Sequence, residues 1–283
     1  MVVGEASKLI LRLWDEYRGI IDARINELLT YLPEAELVHA SKYICSGGKR
    51  LRGFLTMVIA KELGGDPWKA LDAAVAVELV HASSLALDDI IDLDYERRGR
   101  PSAWIAIGVS KTVMVSNLLI PYAQQLLLRR YGGLALELSI RAWLDVSRGE
   151  VCDAFGENAC SIDYIELIKL KTGSLFRLSA ELGALASGRL ETLRDVSLYG
   201  ELLGTAYQIA DDIVDYIQNG EKEFSLKLFS KWCNGSISKA LEKLRKLVEQ
   251  VEDYAASKLG SPLLASIPRF TVNKMLSQVN LLI

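Results

Sequence analysis

Asp88, Asp89 and Asp92 stand at positions i, i+1 and i+4 in "ALDDIIDLDYERRG", and Asp211, Asp212 and Asp215 repeat that spacing in "YQIADDIVDY". At about 100° per residue, three carboxylates so spaced project within one arc of a helix. Like charges one turn apart destabilise an exposed helix by roughly 0.2 to 0.5 kcal/mol, and by more against a low-dielectric wall. A hard divalent cation would relieve that repulsion, because Mg2+ takes carboxylate oxygens, keeps several waters and fills its remaining positions with substrate phosphates. Two such faces opposite each other could hold a diphosphate through bridging metals. One set alone reads as readily as a solvated helix end; its repetition after a second apolar segment favours metal and diphosphate.

A diphosphate also needs cations from the protein. "GGKRLRG" places Lys49 and Arg52 three apart at a helix start, where glycine permits close backbone approach and free N–H groups attract anions. His81 lies about two turns before Asp88 on nearly the same helical face, and Arg97 and Arg98 follow the first acidic set. "LKTGSLF" adds Lys171 and Thr172. Each has an ordinary reading as well: surface charge for Lys49 and Arg52, a satisfied core histidine for His81, a solvated turn for the two arginines, a helix with one charge for Lys171.

The elements that must position these groups read as helices. Apolar residues recur at three- and four-residue intervals between the breaks "GGDP", "RGRP", "YGG" and "SGR". The pattern predicts helices at Glu5–Thr30, Glu36–Leu63, Trp68–Asp92, Trp104–Tyr131, Leu134–Phe155, Asp163–Ser187, Thr192–Gln218, Ser236–Leu259 and Pro262–Leu281, with Asp163 and Glu166 as a capping pair. The expected fold is all-α. No linker rich in Pro, Gly or Ser divides the chain, so residues 1–283 are expected to form one domain. Segments such as "ALDAAVAVELVHASSLAL" are apolar over much of their circumference, as helices inside a ring of others are, and such a ring can enclose a cavity.

Composition narrows the partners. Half of the 283 residues are apolar and the formal charge is −3, without the dense basic cluster of a nucleic-acid binder, so nucleic acid is not expected. Cys45, Cys152, Cys160 and Cys233 show no CxxC spacing, which predicts four reduced thiols in a cytoplasmic protein. Glu5 and Lys8 interrupt any apolar leader. The uncharged run Thr112–Leu128 contains Ser116, Asn117 and Pro121 and falls short of the ~20 apolar residues that span a bilayer, so no transmembrane segment is expected.

Taken in order, GGKRLR, VELVHASSLALDDIID, RRG, LKTGSLF and YQIADDIVD resemble the trans-prenyltransferases, or polyprenyl diphosphate synthases, from about Lys42 to Tyr216. The chain looks particularly like the archaeal members that make medium-length prenyl chains. The resemblance implies an isoprenoid synthase fold, a bundle of mostly antiparallel helices around a deep cavity, in a homodimer. It implies extension of an allylic prenyl diphosphate by isopentenyl diphosphate, with release of pyrophosphate. Asp88 and Asp92 would bind Mg2+ from one wall and Asp211, with Asp215, from the other, Asp89 and Asp212 supporting. Arg97, Lys171, Thr172 and Gln208 would hold the allylic substrate, and Lys49, Arg52, His81 and Arg98 isopentenyl diphosphate. Catalysis would then be chiefly electrostatic, since negative charge develops on the leaving diphosphate.

Ser83 and Ser84 fall five and four residues before Asp88, where short-chain members commonly carry an aromatic stop. Small side chains there imply an open tunnel and a product longer than geranylgeranyl diphosphate, with hexaprenyl as the central expectation; a floor supplied by another helix would instead leave a geranylgeranyl diphosphate synthase. The chain departs from the family pattern in Ser116–Asn117, where a Gly–Asp pair is usual, and in Gly149–Glu150, where Gly–Gln usually precedes Asp153. After the second acidic set, Lys222 and Lys227 are rival matches to one family lysine. A terpene cyclase or squalene-type synthase would share the helices and metals without needing Lys49, Arg52, His81 and Arg98. A noncatalytic partner subunit would often have lost one acidic set.

Overall fold

Helix α1 (Val2–Leu29) buries Ile10, Leu13, Trp14, Tyr17, Ile21, Ile25 and Leu28, a stripe at three- and four-residue intervals that one helix turns to a single side. The computed structural model describes residues 2–156, 160–220 and 224–283. Where the periodicity predicts one helix over Glu36–Leu63, there are two, α2 (Ala35–Cys45) and α3 (Leu51–Glu62). The break has tertiary causes. Gly47, Gly48 and Arg50 adopt positive φ (74°, 100° and 51°), Trp14 Nε1 donates to Lys49 O at 2.5 Å, and the Arg50 guanidinium donates to Cys45 O and to Asp22 at 2.7 Å.

A 3₁₀ turn at Pro67–Ala70 leads into α4 (Leu71–Ile91), which is apolar nearly all round and packs against α3 and, further along the chain, against α6 (Val109–Tyr131) and α9 (Ser174–Ser187). Pro67–Ile91 is the one stretch among the described residues apolar and long enough to cross a membrane, and 72% of its apolar 18-residue window is buried inside the protein, as in a core helix. After α4 comes a hairpin not anticipated from the sequence: β1 (Glu96–Arg97) pairs antiparallel with β2 (Arg100–Pro101). Gly108 at φ 92° separates α5 (Ala103–Ile107) from α6. Then follow α7 (Gly133–Phe155) and α8 (Tyr164–Ile168), the latter capped as expected by Asp163, which accepts from Glu166 N at 2.8 Å. One π-turn, Lys169–Gly173, joins α8 to α9.

The remaining helices are α10 (Leu193–Asn219), α11 (Phe224–Cys233), α12 (Ile237–Tyr254) and α13 (Pro262–Leu276), of which α11 was not expected. Ser236 and Ser261 cap α12 and α13 through side-chain oxygens. Helix α9 lies between α3, α7 and α10, and α10 packs on α12 and α13. The fold is all-α: among the described residues the only strands are the two-residue pair after α4.

The cysteines correct the expectation of four thiols. Cys45 and Cys233 are free and buried, but Cys152 and Cys160 are bonded to each other. Gly156, left-handed at φ 66°, turns the chain at the end of α7, and Cys160 returns to a Cα–Cα distance of 5.4 Å from Cys152. A search for CxxC cannot see a pair made by a chain reversal, and the cytoplasmic expectation, which leaned on reduced thiols, loses that support. Closing so short a loop stabilises the fold by about 2 kcal/mol in the chain-entropy picture. Cys152→Ser is therefore expected to lower the unfolding free energy obtained from urea denaturation by that amount, and an unchanged midpoint with and without reductant would show the bond to be absent in solution.

Candidate active site

A cavity of about 790 Å3 opens among the residue 46–52 loop, the C-terminal half of α4, the hairpin, α7, the π-turn and α10. Its basic part begins with Arg52, whose Nη1 lies 2.8 Å from His81 Nε2 and whose guanidinium sits 4.9 Å from the Phe176 ring centre. A guanidinium can only donate, so His81 Nε2 accepts and its proton is on Nδ1. Burial, then the Arg52 charge, hold His81 well below its ordinary pKa, and the imidazole is neutral. Arg98, at φ 59°, donates to Ser46 O at 3.0 Å and lies over Gly48. A Cβ on Gly48 would meet only the mobile end of the Arg98 side chain, the guanidinium carbon at 2.8 Å, so it is the φ of 100° that calls for glycine there. Lys49 is exposed at the cavity rim.

The acidic triplets divide rather than presenting three equal carboxylates. Asp88 lines the cavity; burial, then Glu150, push it up to about 8 against the pull of Lys171. Asp211 also lines the cavity and is raised by burial, against Lys49 and Arg52. Asp215 is half-buried and pushed up to about 6 by burial and by Asp211. Asp92 is exposed at the C-cap of α4, where the negative end of the helix dipole adds to its own charge. The other two are committed elsewhere. Asp89 is buried and ion-paired with Arg97, whose Nε donates at 2.7 Å. Asp212, pushed up to about 7 by burial, accepts from Tyr164 OH at 2.5 Å and from Gln208 Nε2 at 2.8 Å. Gln208 Oε1 in turn accepts from Thr172 Oγ1 at 2.6 Å.

Lys171 projects from the π-turn, the kind of helical insertion that re-aims a side chain. Its Nζ lies 3.0 Å from Glu150 Oε2 and also pairs with Asp153, whose Oδ1 accepts from Ser225 N at 2.9 Å. Burial alone would lower Lys171, but the two carboxylates outweigh it and hold the ammonium above its ordinary value. Helix α7 comes this close because residue 149 is glycine: a Cβ there would stand 2.7 Å from Lys171 Cγ and 2.9 Å from its backbone N.

Of the residues singled out in the sequence, Lys49, Arg52, His81, Ser84, Asp88, Arg97, Arg98, Lys171, Thr172, Gln208 and Asp211 meet in this one cavity. Ser83 is buried outside its lining, as are Asp89 and Asp212, and Asp92 and Asp215 stand beyond the lining residues. Ser116 is buried and Asn117 exposed on α6. Lys227 is exposed on α11, away from the cavity, and Lys222 lies outside the described residues. Three contributors escaped the sequence reading. Arg50, buried, pairs with Asp22 and lies 3.6 Å from Glu78; Glu78 accepts from Gly53 N at 2.8 Å; Tyr164 holds Asp212. A lone glutamate inside the apolar run "AVAVELV" was a signal for Glu78, whereas nothing in the spacing marked Tyr164.

The donor set suits a hard cation, being carboxylate oxygens raised in pKa by burial and by one another. Among the described residues no three His, Cys, Asp or Glu side chains converge into a cage for an ion.

A family model described as Polyprenyl synthetase matches residues 34–250. The hexaprenyl pyrophosphate synthase of Saccharolobus solfataricus is 37% identical over 280 residues, 96% of this chain and 98% of its own. The geranylfarnesyl diphosphate synthase of Methanosarcina mazei is 34% identical over 255 residues, 86% of this chain and 84% of its own. Among solved structures, the polyprenyl synthase of Caulobacter crescentus, complexed with calcium and isoprenyl diphosphate, matches with a TM-score of 0.80 at 22% identity, covering 95% of this chain and 97% of that one. The chain belongs to the polyprenyl synthetase family and is a prenyltransferase, a prenyl diphosphate synthase of isoprenoid synthase fold.

Asp88, Asp212 and Asp215 hold their protons more tightly folded than unfolded, so the cost of burying them grows as pH rises from 3.8 through about 8, 7 and 6 respectively. Metal-free protein is expected to show a urea midpoint that declines between about pH 4 and about pH 8, and Asp88→Asn a shallower decline. A flat wild-type profile in chelator would show that these carboxyls ionise in the fold without cost.

Proposed function

We propose that this chain joins isopentenyl diphosphate to an allylic prenyl diphosphate with Mg2+ and releases pyrophosphate, its product being longer than geranylgeranyl diphosphate, with hexaprenyl diphosphate as the central expectation. The observation that carries the reading is one cavity lined both by Asp88 and Asp211 and by the basic set Arg52, His81 and Arg98. Two diphosphates need two kinds of site, one bridged by metal from carboxylates and one held by cations directly. A cyclase would need only the first.

In this reading Asp88, Asp92, Asp211 and Asp215 would hold Mg2+, which would supply positive charge to neutralise the allylic diphosphate as it leaves. Lys171, Thr172, Gln208 and Arg97 orient that diphosphate, while Lys49, Arg52, His81 and Arg98 fix isopentenyl diphosphate. The allylic C–O bond breaks, the isopentenyl double bond attacks the cation, and a proton leaves to the departing pyrophosphate. No protein nucleophile is required. Leu85, Val146 and Leu175 in the cavity lining keep water from the cation.

Product length rests on Ser84, a small side chain in the cavity wall, on Ser83 behind it, and on the full-length match to a hexaprenyl pyrophosphate synthase. Geranylgeranyl diphosphate is the second reading, favoured by Ser83 standing outside the lining. We also infer a single catalytic domain, since Tyr207 packs against both apolar clusters of the core, and a homodimer. Met114 and Leu128 on α6, with Ile140, Leu144, Val151 and Phe155 on α7, give these neighbouring helices exposed apolar side chains that a second copy would cover.

Purified protein incubated with Mg2+, labelled isopentenyl diphosphate and dimethylallyl, farnesyl or geranylgeranyl diphosphate is expected to give a ladder ending at hexaprenyl diphosphate. Termination at geranylgeranyl would move the floor elsewhere, and no incorporation with any primer would sink the enzyme reading. Ser84→Phe is expected to shorten the ladder, and Asp88→Asn to lower turnover by about two to three orders of magnitude. Leu144→Glu with Met114→Lys is expected to halve the mass measured by light scattering; an unchanged mass would place any dimer contact on another face.

A further inference from the structure

Lys171 carries one positive charge and has two carboxylates, which are not equivalent. Asp153 is engaged at both oxygens, Oδ2 by Lys171 and Oδ1 by Ser225 N at 2.9 Å, and it does not line the cavity. It anchors the ammonium to α7 and to the start of α11. Glu150 lies one turn earlier on α7, lines the cavity together with Asp88, and among the described residues has Lys171, at 3.0 Å, as its only ion-pair partner.

We propose that Glu150 is an exchangeable counter-ion: it occupies Lys171 until a diphosphate arrives, and its displacement makes diphosphate binding at this wall depend on divalent metal. An anion entering the cavity toward Lys171 meets Glu150 first, because Asp153 is held from behind. Once displaced, Glu150 is a free carboxylate beside Asp88 and beside the incoming diphosphate, and three anionic groups crowd a partly desolvated corner whose cations are already shared, Lys171 with Asp153 and Arg97 with Asp89. Divalent cations bound with the diphosphate would remove that excess. Without them, Glu150 returns to Lys171 and expels the anion. The device discriminates a metal-diphosphate complex from free pyrophosphate or a bare monophosphate. It rests on the reading of Lys171 as an allylic-diphosphate group given above.

Inorganic pyrophosphate titrated into the full-length protein by calorimetry, once in chelator and once in Mg2+, tests this without turnover. Wild type is expected to bind pyrophosphate in Mg2+ and only weakly in chelator, whereas Glu150→Gln, isosteric and uncharged, binds it in chelator about tenfold more tightly than wild type does. Glu150→Asp keeps the charge and is expected to stay close to wild type. Equal affinities of wild type and Glu150→Gln in chelator, with wild type binding normally in Mg2+, would overturn the counter-ion role and leave the enzyme reading intact. A Glu150→Asp that behaves like Glu150→Gln would overturn it too, since shape rather than charge would then be responsible. Failure of wild type to bind pyrophosphate even in Mg2+ would overturn the assignment of the site itself.

Discussion

An ion taken out of water must find a partner, and the arrangement of this protein's interior follows from which ions are given one. The penalty for an unpaired buried charge is several kcal/mol. Arg50, almost wholly buried, is held by Asp22 and Glu78; Asp89 is held by Arg97; Asp212 has one oxygen on Tyr164 and the other on Gln208. These groups are spent on structure. Asp88 and Asp211, by contrast, face the cavity without an ion pair among the described residues, and Arg52 leaves its Nε without a partner. Charge of both signs without an ion pair therefore stands on the walls of this one cavity. A ligand that is itself anionic, together with cations, is what such walls stabilise.

Keeping opposite charges apart inside one small cavity requires irregular backbone, and the irregularities sit where the charges do. Arg50 is a non-glycine residue in the left-handed region, a conformation that persists only when surroundings over-determine it. Its guanidinium supplies that determination by reaching Asp22, Cys45 O and Glu78. The same strut ends α2, opens the N-terminus of α3 and sets Arg52 against His81. Across the cavity the π-turn shifts the helical register so that Lys171 meets α7 while Thr172 meets α10 through Gln208.

That division also explains what could be read from the residues in order. Periodicity located most of the helices, and the i, i+1, i+4 spacing located both acidic sets, because these depend on neighbours within a turn or two of chain. It could not show that Asp89 and Asp212 turn away from the cavity, since their partners Arg97 and Tyr164 belong to other elements. The split of Glu36–Leu63 depended on Trp14 and Asp22 in α1, and the Cys152–Cys160 bond on a reversal at Gly156. Long-range partners leave no local trace. Glu78 is the exception, because a charge inside an apolar helix announces a buried partner even when the partner is unknown.

The serines before the first acidic set illustrate how a polar residue can serve an apolar purpose. Ser83 Oγ donates to Leu79 O at 2.9 Å and Ser84 Oγ to His81 O at 2.9 Å, so both hydroxyl protons are used within α4 itself. What each presents to its neighbours is little more than a methylene, and a hydrocarbon passing Ser84 would not have to strip a hydroxyl of water. Alanine would offer the same volume, whereas phenylalanine would fill the space one turn below Asp88. The identity of these positions therefore acts on the site through size. Because α4 packs on α3, α6 and α9 and Ser84 itself lines the cavity, a bulky side chain there would take up room that a growing chain needs.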